Sequence, residues 1–129
     1  MNSPKKLVLL GATGSIGENT LKVIRKHPDK IELLGISAHK NMEKLFDIAR
    51  EFQVPYASLV NPPSGKIDPP QNTHFYTDRD SLCEMAVLEE ADIVVVAVVG
   101  AAGLLPTLSA LKAGKDVVLA NKESLVVAG

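Results

Sequence analysis

Residues Leu7 to Gly17 read L-V-L-L-G-A-T-G-S-I-G, an apolar run that empties into three glycines spaced three apart where a helical pattern begins. Few folds accept such a stretch. Lys6 to Leu10 fits a strand buried on both faces, as a central parallel strand is, and glycine makes the tight turn at Gly11 without steric cost. Gly14 removes a side chain where a pyrophosphate would press on backbone, and Gly17 lets the next helix sit close on the strand. The helix start then offers unpaired N–H groups and the positive end of its dipole to phosphate. The motif is G-x-x-G-x-x-G and not the commoner G-x-G-x-x-G, so its weight comes from context. Ile16, Thr20, Val23, Ile24 and His27 recur at i, i+4, i+7, i+8 and i+11, one face of a helix, and Pro28 with Asp29 stops it. The strand-turn-helix context favours the phosphate reading over the alternative, a tight turn without a ligand.

The pattern repeats downstream. Ile31 to Ala38 reads as a second strand, Met42, Leu45, Phe46, Ala49 and Phe52 follow at helical spacing, and Val54 to Val60 is a third strand. This is β-α-β-α-β, the first mononucleotide half of a doubly wound sheet. Asn61 to Asn72, with two proline pairs and a Ser-Gly, is an exposed loop. Thr73 to Thr77 reads as a short extended piece, Asp78 to Leu88 as a helix, and Asp92 to Val99 as the most strongly buried strand. Pro106 lies near the first turn of the next helix, Lys112 in its last turn and Gly114 just past it. Lys115 to Ala120 is another strand, and Ser124 to Gly129 begins a further element. The expected fold class is α/β: a Rossmann-like, doubly wound, mostly parallel sheet with helices on both faces.

Composition narrows the function classes. At 129 residues the chain is one domain with a sizeable core. Its longest apolar stretch, Ile93 to Val99, is too short for a membrane span. A net charge of -1 from 14 basic and 15 acidic residues, with 4% aromatic residues, leaves nucleic acid neither a basic footprint nor stacking platforms. One cysteine, Cys83, excludes an internal disulfide, and the start M-N-S-P-K-K lacks the apolar core of a signal peptide, so a cytoplasmic location is expected. Cys83 sits beside Leu82 and Met85 in a helical pattern and reads as a small buried hydrophobe, not a nucleophile.

Three segments carry candidate chemistry. At the end of the second strand, Ser37-Ala38-His39-Lys40-Asn41 lacks the carboxylate that bonds the ribose 2′-hydroxyl in NAD-binding domains. Lys40 suits the 2′-phosphate of NADP, or is an ordinary surface lysine; Asn41 caps the helix that starts at Met42, which leaves a ligand role open. Gly100-Ala101-Ala102-Gly103 either lets a ligand approach backbone or makes a compact turn. In Asn121-Lys122-Glu123-Ser124, Asn121 suits a helix cap and Glu123 a helix start. Lys122 is a surface lysine, or binds a substrate anion or donates a proton.

G-A-T-G-S-I-G-E-N-T-L with S-A-H-K-N, then V-V-G-A-A-G-L-L-P-T-L-S-A-L-K-A-G-K and L-A-N-K-E-S-L-V, resemble in order and separation the N-terminal cofactor domain of the 1-deoxy-D-xylulose-5-phosphate reductoisomerase family. The resemblance spans the whole chain. It implies an NADPH-binding Rossmann domain from the non-mevalonate isoprenoid pathway. The family isomerises 1-deoxy-D-xylulose 5-phosphate and reduces the product with NADPH to 2-C-methyl-D-erythritol 4-phosphate, using Mg²⁺ or Mn²⁺. By motif, Thr13, Gly14, Ser15 and Ile16 would line the pyrophosphate turn. Lys40 and Asn41 would meet the 2′-phosphate and adenosine ribose, with His39 beside them, at a position where some relatives are expected to carry glycine. Asn121 and Glu123 would position the nicotinamide half, and Lys122 would contact the phosphosugar substrate.

In that family the metal ligands are acidic residues beyond the A-N-K-E-S-L-V segment, and Asp78, Asp80, Glu84 and Asp92 do not replace them. The expectation is therefore a cofactor-binding domain at 1–129, without the catalytic, metal-binding and C-terminal parts. It should bind NADPH, hold no catalytic residue or metal, and turn nothing over alone. The family is homodimeric, and this chain is expected to be monomeric. A short-chain dehydrogenase would need Tyr followed four residues later by Lys, whereas Tyr56 precedes Val60 and Tyr76 precedes Asp80. An aspartate-semialdehyde-dehydrogenase-like domain shares G-A-T-G but lacks A-N-K-E-S. An NADP sensor without catalysis remains compatible with the residues.

Overall fold

Four consecutive apolar residues decide the centre of the molecule. The computed structural model describes residues 3–78, 80–98, 100–120 and 125–128, and in it β1 (Lys5–Leu10) buries Leu7, Val8, Leu9 and Leu10 together. Successive strand side chains point to opposite faces. Leu7 and Leu9 accordingly join one core with Leu21, Ile24, Ile36 and Leu45, while Val8 and Leu10 join another with Leu82, Met85, Val94 and Ala110. A strand buried on both faces needs helices on both. The first core is covered by α1 (Ser15–Lys26) and α2 (Met42–Phe52), the second by α3 (Ser81–Ala86) and α4 (Leu104–Lys112).

The remaining strands are β2 (Ile31–Ala38), β3 (Tyr56–Leu59), β4 (His74–Tyr76), β5 (Ile93–Val96), β6 (Asp116–Ala120) and β7 (Leu125–Ala128). They form a seven-stranded sheet in the order β4-β3-β2-β1-β5-β6-β7. All neighbours pair in parallel except β6 and β7, which are antiparallel. The chain thus builds outward from β1 to β4, then returns to the other side of β1 as β5. That reversal puts a topological switch point between the carboxyl ends of β1 and β5, with the end of β2 beside it. The doubly wound, mostly parallel architecture expected from the sequence is the one observed.

Details differ where packing overrules local pattern. The buried face of α1 is Gly17, Leu21 and Ile24, whereas Val23 is 52% exposed and His27 is exposed. Gly17 must face the turn backbone, and Val23, six residues on, then lies about 240° round the helix. The predicted stripe is rotated onto the flank, leaving Ile16 and Thr20 half-buried. The strands β3 and β5 and the helix α3 are shorter than their apolar patterns suggest, and the segment after position 124 returns along β6 as β7. Cys83 is half-buried beside buried Leu82 and Met85. Within the proline-rich loop, Ile67 packs on the first core. No helix among the described residues is long and apolar enough to cross a membrane.

One irregularity matters for the site. The register of β1 on β2 runs Leu7 to Leu33 and then Val8 to Gly35, skipping Leu34. This bulge reverses the alternation of β2 beyond it. Ile36 and Ala38 join the first core, and Ser37 pairs with Leu10 at the end of β1.

Candidate functional site

Beyond Leu10 the chain crosses the switch point in a turn whose geometry only some residues allow. Gly11 takes φ +93°, a left-handed conformation that L side chains avoid, and a Cβ there would stand 2.9 Å from the Ala97 carbonyl. The Gly11 N–H donates to Ser37 Oγ at 2.9 Å and the Ala12 N–H to the Ser37 carbonyl at 2.7 Å. On the other side, the Ala97 N–H donates to the Leu10 carbonyl at 2.8 Å. The turn is thus fastened to β2, with β5 hydrogen-bonded to the end of β1 beside it. At Gly17 a Cβ would collide with the Gly11 carbonyl oxygen and stand 2.6 Å from that of Ala12, so α1 rests directly on the turn.

Gly14 has a different reason to be glycine. Its φ of -83° and ψ of 176° suit any residue, and a Cβ there would meet nothing within 4 Å among the described residues. Nothing among the described residues requires glycine at this position. Gly14 is also the N-cap of α1 and makes no side-chain cap hydrogen bond, so its own position leaves the first-turn amides uncapped.

These elements wall a cleft of about 470 Å³, within the range of small-ligand sites. Gly11, Thr13 and Gly14 line it from the turn, Ser37, Ala38 and His39 from β2 and its end, and Val60, Leu82, Ala97, Val98 and Ala102 complete it. The lining is largely apolar, with Thr13, Ser37 and His39 as its polar side chains. Its position at the carboxyl edge of the switch point is where open α/β sheets receive ligands.

Of the residues singled out from the sequence, Thr13, Gly14 and His39 line this cleft, and Ser15 and Ile16 open α1 immediately beyond it. Lys40 and Asn41 follow His39 but are not part of the lining; both are exposed. Asn41 Oδ1 accepts from the Lys44 N–H at 3.2 Å, which is the predicted cap of α2. Gly100–Gly103 winds into a short 3-10 turn that brings Ala102 to the cleft. Asn121, Lys122 and Glu123 lie outside the described residues.

Two residues at the site were not singled out. Ser37 is buried and holds the turn through both its hydroxyl and its carbonyl; its signal was a lone hydroxyl in an apolar strand. Lys44 pairs with the Glu18 carboxylate and donates from Nζ to the Thr13 carbonyl at 3.2 Å. Its signal was a cation in the first turn of a helix, against the dipole.

Perturbed ionisation lies elsewhere. Hydrogen bonds of 2.6 and 2.8 Å from the Arg25 guanidinium hold the Glu51 carboxyl below the usual carboxylate range. Burial pushes the Tyr76 hydroxyl up, with Tyr56 adding to it. Among the described residues no three His, Cys, Asp or Glu side chains gather as a metal-ligand set.

Comparison with known proteins agrees with this geometry. The family model for 1-deoxy-D-xylulose 5-phosphate reductoisomerase matches residues 7–129. The enzyme of that name from Aliivibrio salmonicida is 44% identical over 131 residues, covering 97% of this chain and 33% of that protein. The one from Nitrosomonas eutropha is 43% identical over 135 residues, covering 100% and 33%. Among solved structures, the Zymomonas mobilis reductoisomerase in complex with NADPH superposes with a TM-score of 0.80 at 34% identity, covering 95% of this chain and 33% of that one. A reductoisomerase complex with NADPH, fosmidomycin and magnesium gives a TM-score of 0.80 at 36% identity, covering 93% and 31%. The chain spans about a third of the length of the curated relatives it matches. With the motif order, the sheet topology and the switch-point cleft all in place, the chain belongs to the 1-deoxy-D-xylulose 5-phosphate reductoisomerase family.

Proposed function

We propose that this chain is the NADPH-binding part of a 1-deoxy-D-xylulose 5-phosphate reductoisomerase, and that residues 1–129 alone bind the dinucleotide without turning substrate over. The observation that carries this reading is Gly14: it lines the cleft, it begins α1, and its missing side chain leaves space that no atom of the described residues uses. A pyrophosphate fits that vacancy against the open amides of a helix N-terminus. Thr13, Gly14, Ser15 and Ile16 would hold it, His39 and Asn41 would border the adenosine ribose, and Lys40 would meet the 2′-phosphate. Asn121 and Glu123 are assigned to the nicotinamide half and Lys122 to the phosphosugar.

When bound, NADPH supplies the hydride for the reductive half of the reaction. The chain's own contribution is to grip and orient: helix amides and turn backbone on the pyrophosphate, a fixed cation on the 2′-phosphate, and apolar walls from Val60, Leu82 and Val98 that exclude water. The described residues do not fit a divalent cation, so no step through metal is assigned to them. Parallel calorimetric titrations with NADPH and NADH test the reading. Preference for NADPH is the expected result; equal affinity would refute the 2′-phosphate assignment, and binding of neither would refute the cofactor role.

A further inference from the structure

Lys44 stands in the first turn of α2, where the positive end of the helix dipole disfavours a cation. Its side chain nevertheless reaches across the rim of the cleft. Nζ donates to the Thr13 carbonyl at 3.2 Å and pairs with the Glu18 carboxylate in the first turn of α1. Its own backbone N–H is taken by Asn41 Oδ1 at 3.2 Å. One lysine therefore adds a tie between the glycine turn, the start of α1 and the corner after β2, beside the Ser37 hydrogen bonds and the close contact at Gly17.

Glu18 supplies the reason for a cation here. A carboxylate in the first turn of α1 is favoured by the dipole, yet it sets a negative charge beside the amides that would receive a pyrophosphate. We propose that Lys44 is a positioning residue for the dinucleotide: it fixes the Thr13 backbone ahead of Gly14 and cancels the Glu18 charge, so that the α1 N-terminus stays attractive to an anion. This rests on the proposed dinucleotide reading of the cleft. The pyrophosphate is common to NADPH and NADH, so Lys44 acts on both alike. Lys40, assigned to the 2′-phosphate, acts on NADPH alone.

The test uses Lys44→Met, which keeps the stem and removes the charge, with Lys44→Arg and the double variant Lys44→Met/Glu18→Gln beside it. Each is titrated with NADPH and with NADH, and amide hydrogen exchange is followed at residues 12–17 of the nucleotide-free chain. Lys44→Met should weaken both nucleotides about threefold to fivefold, the scale of a half-exposed ion pair, and should speed exchange in the turn. Arginine should restore both properties. Removing Glu18 as well should recover affinity without recovering exchange protection. A loss confined to NADPH would overturn the proposal, and so would unchanged exchange in Lys44→Met. Wild-type binding of neither nucleotide would bring down the functional reading together with this one, whereas normal wild-type binding and an unaffected Lys44→Met would overturn this one alone.

Discussion

Adding one methyl group at Gly14 and, separately, at Gly17 separates what the fold needs from what a ligand needs. At Gly17 the new Cβ would collide with the Gly11 carbonyl oxygen and come within 2.6 Å of the Ala12 one. Neither oxygen can yield easily, because the same turn is tied to Ser37 through the Gly11 and Ala12 amides. Overpacking of this kind costs about 1–3 kcal/mol, and the immovable backbone puts the cost near the top of that range. Better helix propensity returns at most about 1 kcal/mol. The net for Gly17→Ala is a loss of about 2 kcal/mol, a fall in melting temperature of roughly 6–12 °C for a chain of this size. At Gly14 the Cβ meets no atom of the described residues and the backbone is already extended. A less flexible unfolded chain gains about 0.4–1 kcal/mol, and replacing glycine by alanine at an N-cap loses about as much. Gly14→Ala should therefore melt within about 3 °C of wild type yet lose most of its affinity for NADPH and NADH together. Urea denaturation and calorimetric titration of the two variants decide the matter. A Gly14→Ala protein that binds both nucleotides normally would refute the claim that a pyrophosphate occupies the space beside Gly14, and one that is as unstable as Gly17→Ala would refute the claim that the fold has no use for glycine there.

Lys40→Ala should weaken NADPH binding tenfold to a hundredfold, about 1.4–2.8 kcal/mol, while leaving NADH nearly untouched, as read by paired titrations. Ser37→Ala removes the acceptor for the Gly11 N–H and should cost about 1–2 kcal/mol in urea denaturation, with faster amide exchange at Gly11 than at Ala12, whose partner is the Ser37 carbonyl. Glu51 is held below its ordinary value of 4.5 by Arg25, so its contribution is present above that value and lost as pH falls below it. Both side chains are more than 40% exposed, which limits the effect: Glu51→Gln should cost about 0.5 kcal/mol at pH 7, and the difference from wild type should close as pH falls through the lowered Glu51 titration.

The parts of this molecule that were legible in the sequence are those in which a local rule and the tertiary structure ask for the same thing. β2 runs from Ile31 to Ala38 as its apolar run indicates, and Asn41 caps α2 as an asparagine before a helical pattern should. The apolar run of β5 extends to Val99, but the strand ends at Val96, level with Leu10. Val98 is apolar for another reason: it lines the cleft, and hydrophobicity alone cannot tell a residue that pairs in a sheet from one that walls a ligand site. The bulge at Leu34 left no mark, since Leu33, Leu34 and Ile36 are all apolar whichever face they take. Yet it is what brings Ser37 to the turn. Lys44 and Glu18 lie 26 residues apart on two helices, so their pairing follows from the packing of α1 beside α2 and from nothing local. The glycine motif divides in the same way. Gly11 and Gly17 answer to the chain itself, through a positive φ and a backbone contact. Gly14 meets no atom of the described residues, and the proposed pyrophosphate accounts for that open space.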